Sequence, residues 1–531
     1  MRERYTRLFI LALIIATVAS CVHVVDQHGT AINYSGLIDE QLQIIRLQAD
    51  VEYLCNPDLE GRDVPGRTGD LTALWIAEQF LRIGMHPGVG DSSYLQKVPL
   101  LQAWLDTAST KLIVSDREYI WGDGFYIFPK KIVHWQTGTS ASTSIQMGAS
   151  DSTSVQMGAS DSTPACIESE MVRCGWGFVD RPSGRNDFAD ANDRAAVVFP
   201  GSDLPPEQAG RYALTPFKAA AAKRAGADML IVAYQDHLEE ISRKSSEIRH
   251  PLVDLPDSDP EFPTVYLNDD LLQDNDENIQ LNVVFRDRCE SHGFNVIGRI
   301  DGTIDEYVVI GAHYDHLGTV EGDEDGDGVY FPGADDNASG VAGLLEICRW
   351  WMDYGSNERG LIAISFTAEE DGLLGSHWLT DHLPVPHDKI VAMVNMDMIG
   401  RDAFASMRDV RRPGAVPDER YVGIFYSAQS PELSDLIHTD DFPLTMDIFP
   451  INRFPFSDAG SFHNKHIPTV HLFSGYHCDY SSPRDTPDKL NYQKMARIVS
   501  LTQNILVRLA EHKEHIGFDP TIRATSPGMR Y

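Results

Sequence analysis

Apolar positions take three different spacings along the 531 residues of this chain. From Leu37 to Met85 they recur at helical intervals. Leu71, Leu74, Ile76, Ala77, Phe80, Leu81 and Ile83 predict a helix that packs on a core. Ahead of it, Leu59-Glu60-Gly61-Arg62, Gly66 and Gly69 predict a turn-rich loop. Between residues 97 and 285 the apolar runs are short and strand-like, as in Ala196–Phe199 and Met229–Ala233. Pro200-Gly201 and Pro205-Pro206 punctuate them, and Phe217–Gly226 predicts one helix. Beyond residue 290 the texture is α/β. Val308–Ile310, Leu361–Phe366, Val391–Val394 and Thr469–Phe473 read as short buried strands, with a helix over Gly340–Tyr354. Strand–helix–strand alternation predicts a mixed, mostly parallel sheet flanked by helices, with ligands bound at the carboxyl ends of its strands.

The chain is too long for one core, so more than one domain is expected. Its N-terminus reads as a leader. Arg2, Arg4 and Arg7 precede the apolar run Leu8–Val18, which is too short to span a bilayer comfortably. The run ends Val18-Ala19-Ser20-Cys21, which resembles a bacterial lipoprotein signal; an ordinary secretory signal is the alternative. The expectation is a signal peptide over residues 1–20, membrane attachment through a lipidated Cys21, a tether over 21–35 and a cell-envelope location. Six cysteines follow (Cys55, Cys166, Cys174, Cys289, Cys348 and Cys478), in no zinc-ribbon spacing. In an oxidising compartment some can pair, and Cys166 and Cys174 are close enough in sequence to clip a loop. Cys348 lies in the apolar helical pattern and reads as buried. A decamer, Ser142–Asp151, recurs as Ser152–Asp161 and reads as a surface loop without chemistry. The net charge of −34 argues against a nucleic-acid partner.

The chemistry lies where the predicted strands end. His313 follows the Val308–Ile310 run, and Asp315 is placed to accept the other N–H of its imidazole. Asp335 opens the turn before the Gly340–Tyr354 helix, and a carboxylate can lend one oxygen to each of two metals. Glu369 and Glu370 leave the Leu361–Phe366 strand pointing opposite ways, one toward metal and the other toward water. Asp397 follows Val391–Val394 and completes a first metal shell. Nitrogen and carboxylate ligands without thiolates suit zinc, with cobalt or manganese as alternatives. Zinc supplies a metal-activated water, and a free carboxylate moves that water's proton to a leaving amine. The acidic loop at Asp323, Asp325 and Asp327 has Ala334 where a calcium-binding loop needs glutamate, so calcium is the lesser reading.

Taken together, these segments resemble metallopeptidase family 28, the co-catalytic dizinc aminopeptidases. The resemblance rests on Leu59–Arg62, Asn295–Gly298, the His313 and Asp335 motifs, Glu369-Glu370, Asn395–Gly400, Ser457-Asp458, Phe473–Gly475 and Asp485–Lys489. It implies a phosphorylase/hydrolase-like fold over 36–96 and 286–515, a β-rich protease-associated insert over 97–285, and a tail over 516–531. It also implies hydrolysis of N-terminal residues from peptides. His313, Asp335 and Asp397 would hold a first zinc, and Asp335 and Glu370 a second. Glu369 would be the general base, Asp315 the orienter, and a non-proline cis peptide would join Asp335 to Asp336. One ligand departs from the pattern. Asp479-Tyr480-Ser481 stands where the family has Asp-Tyr-His, so Ser481 occupies the position of the second zinc's histidine. His477 is a possible substitute. The alternative reading is a catalytically impaired, peptide-binding lipoprotein.

Overall fold

The computed structural model describes residues 34–524 apart from 123, 128–164, 181–183, 201, 204–214, 235–251, 257–261, 321–327, 411, 413, 438–441 and 455–456. The leader, Cys21, the decamer repeat and the acidic loop at Asp323 lie outside the described residues. Contacts divide the chain into two compact units. One joins the chain up to Gln96 with the chain from Phe294 onward, and the other is Lys97–Gly293.

The Lys97–Gly293 unit is β-rich. Its eight-stranded sheet runs from Arg117–Ile120 through Lys111–Val114, Asn278–Val283, Ala165–Arg173, Ala195–Val198, Met229–Tyr234 and Thr264–Asn268 to Phe125–Ile127. The helix Thr215–Arg224 packs on it, burying Ala221 and Ala222 against Leu230 and Val232. Cys166 and Cys174 do not clip a loop; all six described cysteines are free thiols. Cys166 is the second residue of the extended strand Ala165–Arg173, and Cys174 directly follows it. At about 3.3 Å per residue, that strand holds them roughly 25 Å apart, several times the reach of a disulfide. Cys348 is fully buried.

The other unit holds the large mixed sheet. Its strands include β1 (Phe285–Ile300, of which the part from Phe294 belongs to this unit), β2 (Ile304–His313), β3 (Arg359–Phe366), β4 (Ile390–Met396), β5 (Tyr421–Ser427), β6 (Thr445–Ile451) and β7 (Thr469–Phe473). The spatial order is β1-β3-β2-β4-β7-β5-β6. Strands β3, β2, β4 and β7 run parallel, and β1 and β5 join them antiparallel. Every residue of β3, β4 and β7 is buried, as expected of strands covered on both faces.

Side chains alternate between those faces. Val309, Ile362, Ile364 and Met393 pack with Leu379 of α4 (Leu374–Asp381) and Phe462 of α5 (Ala459–Asn464). The opposite face meets α3 (Gly340–Tyr354) and α6 (Tyr492–Glu511), which pack with α1 (Tyr34–Leu54); α2 (Arg67–Ile83) packs on α3. The carboxyl ends of β2, β3 and β4 are adjacent, and the sequence-predicted site residues leave from them.

Candidate metal centre

Three loops are locked together before any ligand is considered. Arg62, fully buried, donates to the carbonyls of Tyr314 (2.7 Å), Leu54 (2.7 Å), Pro332 (2.7 Å) and Gly333 (3.0 Å). It therefore ties the loop after β2 to the turn before α3. Asn295 of β1 accepts from the Thr367 amide (3.2 Å) and donates to Gly375 O (2.9 Å), fixing the loop after β3. Tyr314 Oη reaches Thr367 Oγ1 at 3.1 Å. Asn337 Oδ1 accepts from the amides of Gly340 (3.0 Å) and Met398 (3.2 Å), fixing the turn to the end of β4. Ala368, Met398 and Ser457 hold left-handed backbone (φ 50, 54 and 59°). These costly conformations for side-chain-bearing residues stand directly beside Glu369, Asp397 and Asp458.

Two groups of candidate ligands result, each with its atoms within 4.8 Å of one another. In the first, His313 Nε2 lies 3.4 Å from Asp336 Oδ1 and 3.4 Å from Asp397 Oδ1. In the second, His316 Nδ1 lies 2.7 Å from Glu370 Oε1 and 4.0 Å from Asp336 Oδ2. Asp336 thus turns one oxygen toward each histidine. Glu369 Oε2 stands 3.9 Å from His313 Nε2, beside the first group and outside both. The imidazoles are closed off, at 1% and 0% side-chain exposure, whereas Asp397, Glu369 and Glu370 are 14–18% exposed, so the site opens on its carboxylate side.

The electrostatics follow from crowding carboxylates into a buried space. Burial opposes the charged form of His313, but Glu369 and Asp397 outweigh it and hold the imidazole well above its usual pKa. Burial raises Asp336 and Glu369 well above the carboxylate range, and neighbouring carboxylates add to this. Burial pushes Asp458, behind Glu369, up to about 7. Asp397 moves the other way, because His313 outweighs its burial. His313 Nε2 and Asp397 Oδ1 are buried without a hydrogen-bond partner among the described residues. A divalent cation satisfies such an array, and imidazole with carboxylate oxygen is a zinc donor set.

Several sequence expectations need correction. Asp335 is in neither group. Its Oδ1 accepts from the Gly400 amide (2.6 Å) and Ser339 Oγ (3.2 Å). The turn is not helical at Asp336 (φ −106, ψ 96), and with this extended backbone the two adjacent carboxylates diverge. Asp336 is the residue common to both groups, and the cis peptide is Asp336–Asn337 rather than Asp335–Asp336. His477 does not reach the ligand groups. Its Nε2 faces Asp335 Oδ2 at 3.3 Å, behind the site. Ser481 is exposed, with left-handed backbone (φ 49), and belongs to neither group. Asp315 is beside His313, but its backbone carbonyl approaches Nδ1 (3.2 Å) more closely than its carboxylate does (3.8 Å). That carboxylate accepts the Glu370 amide at 3.1 Å. The residue the pattern reading missed is His316. Its signal was a second imidazole three positions after the first, in Gly311-Ala-His-Tyr-Asp-His316.

Residues 295–506 match the model of peptidase family M28. Over 219 residues the chain is 29% identical to the uncharacterized protein YfbL of Escherichia coli, covering 38% of this chain and 66% of that protein. Over 112 residues it is 32% identical to leucine aminopeptidase 1 of Aspergillus clavatus, covering 20% of this chain and 28% of that one. The chain therefore spans less than two thirds of the length of these curated relatives. Among solved structures, the aminopeptidase from Aneurinibacillus sp. strain AM-1 has a similar fold (TM-score 0.51, 18% identity), covering 91% of this chain and 96% of that one. The stretch matched by the model of peptidase family M28 carries both ligand groups, Glu369 and the strand ends that present them.

Proposed function

We propose that the chain is a zinc-dependent aminopeptidase. The observation that carries this reading is the convergence of His313, Asp336 and Asp397 on one point, with the free carboxylate of Glu369 3.9 Å from His313 Nε2. Zinc held there supplies Lewis-acid polarisation of a carbonyl and activation of water at neutral pH. His313, Asp336 and Asp397 hold it. Glu369 takes the proton of the attacking water and hands it to the leaving amine, a role that needs a carboxylate near the reacting atoms and outside the ligand set. Burial raises Glu369 above the usual carboxylate range, the direction that makes it a better proton acceptor. Asp315 is a positioning residue: its carbonyl fixes the His313 ring and its carboxylate fixes the Glu370 backbone.

The end of the peptide that is attacked follows from charge. A carboxypeptidase needs a cation for the substrate's terminal carboxylate. Arg401 is buried and engaged by Asp479 (3.0 Å) and Asp485 (3.4 Å). The exposed side of the site is instead acidic, which suits a terminal ammonium. The leader fits export as a lipoprotein anchored through Cys21, and the β-rich Lys97–Gly293 unit fits a protease-associated insert.

The test is hydrolysis of an aminoacyl-anilide panel by the full-length chain. Turnover is expected to vanish with chelator and return with zinc. Absence of chelator-sensitive turnover across the panel overturns the reading.

A further inference from the structure

We infer that the second metal's imidazole has changed loops in this chain: His316, after β2, supplies the ligand that the family pattern puts at Ser481. The inference rests on the zinc reading above and adds to it a complete second site. The observations are independent of one another. His316 is fully buried, and its Nδ1 is 2.7 Å from Glu370 Oε1 and 4.0 Å from the far oxygen of Asp336. Those are the two carboxylates available to a second ion once His313 and Asp397 serve the first. Space for the ring is built in by the facing turn. Gly333 is left-handed (φ +55), and a Cβ there would lie 2.4 Å from His316 Cδ2. The backbone that carries His316 is pinned before it, where Arg62 donates to Tyr314 O and the Asp315 carboxylate accepts the Glu370 amide, and after it, where the Gly318 amide donates to Gly61 O at 3.3 Å.

The family's own segment, meanwhile, has been given to other contacts. Ser481 is exposed. Asp479 binds Arg401, Arg484 and Lys489 at 2.9–3.0 Å. Asp485 accepts the amides of Asp335 (2.9 Å) and Asp336 (3.2 Å). The other nearby imidazole, His477, faces Asp335. Imidazole is a far better zinc ligand than a serine hydroxyl, so an imidazole at 316 restores the donor set without the lost histidine.

The experiment is a zinc count on the full-length chain, stripped with chelator and dialysed against zinc, with folding followed by circular dichroism. The wild type is expected to hold about two zinc ions, and His316→Gln about one, with at least a hundredfold weaker second binding. Ser481→Ala and His477→Ala are expected to keep both. Adding Ser481→His to His316→Gln is expected to restore the second ion. X-ray absorption on the two-zinc wild type reads the same point without mutation, and an average of about one imidazole per zinc is expected. A second zinc that survives His316→Gln, or is lost in Ser481→Ala or His477→Ala, overturns the inference. So does a wild type that holds only one zinc, while leaving the peptidase reading intact. A chain that holds no zinc removes that reading itself.

Discussion

The loop after β2 and the segment 477–485 are both ligand-bearing stretches by family pattern, and the structure uses them differently. The first brings His313 and His316 into a buried acidic cluster. The second faces basic groups. Burial alone would raise Asp479, but Lys489, Arg401 and Arg484 hold it far below the usual carboxylate range. Asp485 serves backbone amides of the turn that presents Asp336. One segment supplies the buried imidazoles, and the other holds the turn that presents Asp336. A family motif can thus keep its scaffold role after its ligand has been replaced, because hydrogen bonds to backbone do not depend on the side chain that was lost.

The largest expected effect on function is at Glu369. Glu369→Gln keeps the shape and leaves both ligand groups untouched. Aminoacyl-anilide turnover is expected to fall by roughly 10²–10⁴-fold with zinc content unchanged. Full activity in that variant would remove Glu369 from the mechanism.

The largest expected effect on stability is at Arg62, which joins the two ligand-bearing turns. Arg62→Ala leaves four buried carbonyls without their donor. A loss of about 3–5 kcal/mol in denaturant unfolding is expected. A loss under about 1 kcal/mol, which is the range of exposed pairs, would show that the clamp does not matter.

Asp485→Asn tests the scaffold role of the second segment. An amide oxygen is a weaker acceptor for two backbone amides and for Arg401. A loss of about 1–3 kcal/mol is expected by the same unfolding measurement, with the zinc count retained. Loss of zinc at unchanged stability would instead make 477–485 a ligand segment.

A pH dependence is expected at Lys494, which donates to Arg401 O at 2.7 Å. Burial lowers this lysine from 10.5 to about 8. The native state therefore releases its proton before the unfolded state does. The cost of the buried charge is fully present below about 8 and is relieved as pH rises toward 10.5. Its contribution to stability rises by at most about 1.4 kcal/mol per pH unit in that window. Lys494→Met is expected to lack this rise in thermal melts taken from pH 7 to 10. An unchanged slope would show that the lysine is not desolvated.

Much of the unit that holds the large mixed sheet was legible in the spacing of apolar residues. The helix over Gly340–Tyr354 and the strand ending at Phe366 fall where the pattern puts them, because fully buried parallel strands and an amphipathic helix leave unambiguous runs. The strand ends also locate the site. What the pattern could not rank was neighbours of the same chemistry. Asp335 and Asp336 differ only in how one extended residue aims them. His313 and His316 are both imidazoles, and which loop fills a ligand position is decided in three dimensions by Gly333, Arg62 and Glu370. The cysteine expectation failed for a related reason: closeness in sequence along an extended strand is separation in space.

The most direct test of the central claim is a zinc titration of the chelator-stripped, full-length chain, followed by aminoacyl-anilide hydrolysis and by metal content in parallel with Glu369→Gln. The account predicts that hydrolysis returns as zinc binds in the wild type, while Glu369→Gln takes up the same zinc and stays inactive. A wild-type chain that binds zinc at the His313 and His316 groups and hydrolyses nothing in the panel would contradict it.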